Sequence, residues 1–161
     1  MKKAAAKRRP VIAVCGAGAA GPELDELAAR VGEAIAEAGA VLVCGGLGGV
    51  MEAAARGARE AGGLTIGILP GSDTGEANAW IEAAVATDMG PARNAIIVAT
   101  ADAVVAVGGG YGTLSEIALA LKMGKPVVSI GSWEVSGDVL KAAGPAEAVE
   151  MALNRIRVER R

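Results

Sequence analysis

The sequence predicts one α/β domain built on a doubly wound, mainly parallel sheet with helices on both faces. Three observations lead there. Short runs rich in β-branched residues alternate with Ala-rich stretches of helical length. Those runs are continuously apolar, the pattern of strands buried on both faces. Several end in glycine, at Gly16, Gly45–Gly46 and Gly108–Gly110, the place where an open α/β sheet holds its ligand. With 161 residues the chain has the size of a single domain and enough length for a proper core.

In chain order, MKKAAAKRRP (1–10) reads as a solvated basic tail ahead of a domain over 11–158. No long apolar stretch follows it, so a secretory signal is not expected. VIAVCG (11–16) is the first strand and 22–38 the first helix. VLVCGG (41–46) and a helix at 49–61 repeat the unit. LTIGILP (64–70) is the third strand. GSDTGEANAW (71–80) is irregular and long enough to be a functional loop. IEAAVAT (81–87) is a fourth strand, with a helix at 90–100. AVVAVGG (103–109), a helix at 111–123, PVVSIGS (126–132) and a helix at 145–157 complete the series. Neither an internal repeat nor an interdomain linker is visible.

Composition narrows the chemistry. The formal charge is only -2, but nine of the 16 Lys and Arg lie at the two ends. Between residues 10 and 154, 17 acidic side chains face 7 basic ones, a balance that repels nucleic acid. Histidine is absent, which removes His-based triads, His metal sites and imidazole proton shuttles. Cys15 and Cys44 each follow an apolar run and read as buried thiols; they are too few for a zinc site, and no metal is expected. No apolar run reaches the ~18 residues that suggest a membrane span. A cytoplasmic protein without a membrane or nucleic-acid partner is the expectation. Its chemistry must rest on backbone amides, carboxylates and a few internal cations.

The glycine turns supply the amides. Gly16, Gly18 and Gly21 spell G-x-G-x-x-G after the first strand. The acid that would grip a ribose is missing from the end of the second strand, so a tight turn is a better account than a dinucleotide site. The run Gly108-Gly109-Gly110-Tyr111-Gly112-Thr113 is stronger. Bare N–H groups can wrap a phosphate, the following helix directs its positive end there, and Thr113 adds a hydroxyl. The ending is not that of a Walker A loop. The phosphate-binding candidates are Gly16, Gly18, Gly45, Gly46, Gly108, Gly109, Gly110, Gly112 and Thr113.

Two charged residues stand out, each with two readings. Glu116 closes Thr113-Leu114-Ser115-Glu116, which fits a capping box as well as a site carboxylate. Arg93 is the only Arg or Lys between Arg59 and Lys122, and is either a surface residue or a ligand contact. Glu52 and Arg56 read as an exposed i,i+4 pair.

Together, GGLGGVMEAAARGA (45–58), the loop at Gly75–Asn78, TDMGPARNAIIV (87–98) and VGGGYGTLSEIALAL (107–121) resemble the LONELY GUY-related Rossmann superfamily. The branch most similar is that of the molybdenum-cofactor carrier proteins. The likeness covers most of 11–135 and rests on the order and spacing of the motifs. It implies a Rossmann-like fold and a symmetric dimer or tetramer. For the enzymes of the superfamily it implies cleavage of the N-glycosidic bond of nucleoside 5′-monophosphates. Gly109, Gly110, Gly112 and Thr113 would then hold the phosphate. Glu116 would stabilise the sugar cation and Arg93 would orient the substrate. Three positions leave the enzyme pattern: Val107 replaces Pro, Asn94 replaces Lys, and Glu52 replaces Gly. These departures resemble the carrier branch. The expectation is therefore a carrier or storage protein for molybdenum cofactor, a related pterin or a nucleotide monophosphate, with no required cofactor. A nucleoside-monophosphate phosphoribohydrolase is the alternative.

Overall fold

The computed structural model describes residues 8–159. Seven parallel strands form one sheet: β1 (Val11–Gly16), β2 (Val41–Cys44), β3 (Thr65–Leu69), β4 (Ala83–Ala86), β5 (Ala103–Val107), β6 (Val127–Ile130) and β7 (Val139–Lys141). Five helices accompany them: α1 (Pro22–Glu37), α2 (Val50–Glu60), α3 (Asn94–Thr100), α4 (Tyr111–Lys122) and α5 (Pro145–Glu159). The spatial order is β4-β3-β2-β1-β5-β6-β7, a doubly wound sheet whose winding reverses between β1 and β5. Ile12 pairs with Ala103 and the register runs to Gly16 opposite Val107. The carboxyl ends of these two strands therefore finish side by side, at the switch point.

Two cores flank the sheet. Ile12, Val14, Leu42, Val105 and Val107 point toward α1, α2 and α5. Ala13, Cys15, Val43, Val104 and Ala106 point toward α3 and α4. This alternation on wholly apolar strands is what burial on both faces requires. Helices α1 and α2 meet backbone to backbone: a methyl on Gly32 would lie 1.8 Å from the Ala54 carbonyl, and one on Gly57 1.9 Å from that of Ala29. Only glycine permits that approach. Arg56 then ties the helices through Asp25 at 2.7 Å. Glu52 is not its partner, because Arg56 donates instead to the Asp25 carboxylate on the facing helix.

Several expected boundaries shift for physical reasons. β4 is an edge strand with three of its four residues exposed, so 81–87 is not the doubly buried strand its composition suggests. The stretch 90–100 begins as a 3-10 turn at Gly90–Arg93, with Pro91 in its first turn, and becomes α-helical at Asn94. β7, only three residues long, lies in a polar stretch that shows no strand pattern. Within the basic tail, Arg8 bonds Asp102 at 2.6 Å and Arg9 donates to the carbonyls of Gly39 and Ala40. These residues are docked on the bottom of the sheet, while the rest of the tail, 1–7, lies outside the described residues.

Candidate functional site

Three glycine turns converge at the switch point, and they do different things. Gly16 closes β1 where a methyl would sit 2.4 Å from the Val107 carbonyl and 2.5 Å from Val50 Cγ1. Gly49, at the start of α2, would carry a methyl 2.3 Å from the Ala17 carbonyl. The first two turns thus pack through bare backbone, joined by Val50 N–H donating to Ala17 at 2.9 Å. Gly45 lies under the Arg93 guanidinium, 2.6 Å from where a methyl would be, and Gly46 against Leu69. The expected loop at 71–80 braces this second turn: Asn78 donates from its backbone to Gly46 and from its side chain to Leu47, at 2.9 and 2.8 Å. These four glycines satisfy packing demands.

Gly18, Gly110 and Gly112 are different, since nothing lies within 4 Å of a methyl on any of them. They border open space. Gly108 and Gly109 take φ of +55° and +105°, conformations that side chains disfavour, and so turn the chain from β5 into α4. Among the described residues, the backbone N–H groups from Gly109 to Thr113 have no acceptor; the first amide with one is Leu114, bonded to the Gly110 carbonyl at 3.0 Å. Five successive donors are left free at the start of a 12-residue helix. The Thr113 hydroxyl is buried and likewise has no partner. It lies against Gly109, where a methyl would approach it to 2.1 Å.

Beneath this turn are the two charged candidates. Gly110 is the N-cap of α4, which puts Thr113 inside the first turn and rules out the capping-box reading of Glu116. Glu116 instead projects inward, only 8% exposed. Burial pushes its carboxyl from 4.5 to about 7, while Arg93 and a hydrogen bond from Cys15 act in the opposite direction. Cys15 is raised well above an ordinary thiol by burial and by Glu116, and Cys44 is raised by burial to about 12. Both thiols are free and buried, as their apolar context implies.

Arg93 is buried as well, which excludes the surface reading. Its Nε donates to Ile68 at 2.8 Å, and its guanidinium reaches the Asn94 side chain and, at 3.4 Å, the Gly45 carbonyl. Burial pulls it below its ordinary value, and Glu116 offsets part of that. Asn94 continues the network to Ser115 at 3.0 Å, and Ser115 to the Gly112 carbonyl at 2.7 Å. The polar chain from Arg93 therefore ends on the glycine turn itself. Glu52 stands nearby, its Oε2 3.9 Å from a methyl position on Gly48.

The outer wall of the site was not legible from motifs. Ser132 donates to the Gly108 carbonyl at 2.5 Å and Trp133 Nε1 to that of Gly110 at 3.1 Å. Both follow β6, whose end abuts β5. A sheet that places β6 beside β5 was the available signal. Among the described residues, no group of three or more His, Cys, Asp and Glu is placed to hold a metal, and no helix is long and apolar enough to cross a membrane.

Comparison with known proteins agrees with this geometry. The molybdenum cofactor binding protein of Rippkaea orientalis superimposes with a TM-score of 0.88 at 40% identity, covering 94% of this chain and 99% of that one. The Moco carrier protein of Chlamydomonas reinhardtii gives 0.84 at 38% identity, with the same coverage. The cytokinin riboside 5′-monophosphate phosphoribohydrolase of Mycobacterium tuberculosis is 38% identical over 133 residues, 76% of this chain and 71% of that protein. The resemblance read from the motifs is thus borne out, as is the Rossmann-like single-domain fold. Residues 9–155 match the SLOG cluster4 family, and the chain belongs to that family.

Proposed function

We propose that this protein binds and carries a phosphorylated pterin, such as molybdenum cofactor, or a nucleotide, with the phosphate on the Gly108–Thr113 turn. The observation that carries the reading is the run of five unpaired backbone donors at the start of α4, beside an unpaired buried hydroxyl. Unsatisfied amides at a helix start are an anion site by geometry and by dipole. Gly18, Gly110 and Gly112 keep the approach open, and Gly108 and Gly109 shape the turn. The names of the two structural neighbours, a molybdenum cofactor binding protein and a Moco carrier protein, support the pterin as cargo.

A second reading, cleavage of nucleoside monophosphates, is favoured by the coupled pair Arg93–Glu116 and by the mycobacterial relative. Two features weigh against it. Arg93 already commits three of its five N–H donors to Ile68, Asn94 and Gly45. Burial raises the Glu116 carboxyl to about 7 and Cys15 bonds it, so near neutral pH a large fraction lacks the negative charge that stabilising a sugar cation requires.

The test is mass spectrometry of the small molecules released from gently purified protein, paired with Gly110→Val. Gly110 has room for a side chain, so the variant should fold while blocking the turn. A phosphorylated ligand on the wild type, absent from the variant, is the expected result. Equal affinity for phosphate in the two proteins would remove the site from this turn. Release of free base from AMP by the wild type, lost in Glu116→Gln, would replace the carrier reading with the enzyme.

A further inference from the structure

Only three aromatic residues occur in the chain, and two of them stand together at the edge of the proposed phosphate site. Tyr111, the first residue of α4, and Trp133, just beyond β6, stack with ring centroids 6.2 Å apart and an interplanar angle of 24°. Neither ring is spent on the core. Tyr111 is 83% exposed and Trp133 37%. Solvent exposure of a stacked pair leaves apolar faces in water at a cost that a purely structural contact would not require.

The pair is also fixed relative to the cradle. Trp133 Nε1–H donates to the Gly110 carbonyl at 3.1 Å, so the indole is tied to the backbone that presents the free amides. The Tyr111 amide is one of those donors, so its ring is carried on the cradle itself. On the Trp133 side of the pair opens a crevice of about 410 Å³, lined by Gly108, Gly109, Gly131, Ser132, Trp133 and Glu134. That is large enough for a small flat ligand. A phosphate alone would occupy a fraction of it.

We propose that Tyr111 and Trp133 form the stacking platform for the ring system of the ligand. The site would then select a fused heterocycle, purine or pterin, attached to a phosphate, over phosphates lacking a ring. This inference rests on the phosphate-cradle reading. Stacking on aromatic side chains follows from π-surface and tolerates different bases, and removing one platform residue weakens binding roughly 5- to 150-fold.

The experiment measures affinities by calorimetry for inorganic phosphate, ribose 5-phosphate, AMP and 6-hydroxymethylpterin monophosphate. Wild type is compared with Tyr111→Leu, Trp133→Leu and Gly110→Val. Wild type should bind AMP or the pterin phosphate at least tenfold more tightly than ribose 5-phosphate, and the tighter of the two identifies the ring. Both Leu variants should lose that advantage and retain the affinity for inorganic phosphate. Trp133→Leu also removes the bond to Gly110, so Tyr111→Leu, which breaks no hydrogen bond, decides between stacking and support of the turn.

Ring-bearing ligands bound equally well by wild type and both Leu variants would overturn the platform while leaving the cradle intact. Loss of inorganic phosphate along with the ring-bearing ligands in Tyr111→Leu would overturn it too, since the tyrosine would then be shaping the turn. A fall in oligomer mass in the Leu variants, with affinities unchanged, would make the pair a subunit contact instead. Inorganic phosphate bound equally by wild type and Gly110→Val would sink the cradle, and the platform with it.

Discussion

Arg93 and Glu116 could be picked out of the sequence by scarcity: one isolated cation, and one carboxylate after a glycine turn. Their surroundings could not. The acceptors of Arg93 on Ile68 and Gly45 come from β3 and the turn after β2, and the thiol that meets Glu116 comes from β1. Local spacing suggested a capping box, but the helix starts two residues before Thr113 and turns Glu116 into the core. Its titration has a consequence for stability. The folded-state value lies above the ordinary one, so the folded protein binds the extra proton more readily than the unfolded chain does. Stability from this group is full below about pH 4.5 and declines as pH rises to about 7. An upper bound on the loss is about 3 kcal/mol. Glu116→Gln should abolish that decline, making urea midpoints between pH 5 and 8 nearly flat. A wild-type protein that gains stability over this interval would contradict the assignment.

At the scale of elements, apolar runs located six of the seven strands. In β1, β2, β3, β5 and β6 burial on both faces suppresses side-chain alternation, whereas β4 is apolar but largely exposed at the sheet edge. β7 escaped since it is only three residues long and set in a polar stretch that carries no apolar run. The glycines were the harder problem, because sequence does not distinguish a residue that clears a ligand from one that clears its own fold. Gly16 and Gly18 sit two residues apart in one motif and separate cleanly on this point. Gly16→Ala must push the Val107 carbonyl or Val50 aside, and should cost about 1–3 kcal/mol as overpacking. Gly18→Ala meets nothing within 4 Å and should stay within about 0.5 kcal/mol of wild type. Parallel urea titrations measure both. Equal losses would mean that the first turn is not held by the packing described.

Across the whole molecule, the two faces of the sheet are unequally covered. One carries α1, α2 and α5, of 16, 11 and 15 residues; the other has only α3 and α4, of 7 and 12. On the thinner side Ile96, Leu114, Leu119 and Leu121 are only partly buried, and Ala118 and Met123 are exposed. The strand β4 at that end of the sheet leaves Val85 45% exposed, and Met89 beyond it 48%. Apolar surface on one side and a complete helical layer on the other is the distribution expected of a subunit that pairs through its thin face. The family likeness implies a dimer or tetramer, and the uneven layers point to α4 as part of the contact. Ala118 lies on the outward side of α4, so Ala118→Glu should leave the fold intact while placing a charge in the contact. Light scattering at micromolar concentration should show a dimer or tetramer for wild type and a smaller species for the variant. A wild-type monomer, or an Ala118→Glu protein of unchanged mass, would place the contact elsewhere or dispense with it. The phosphate turn opens at the start of this same helix. If pairing also steadies that turn, the smaller species should bind inorganic phosphate more weakly than wild type.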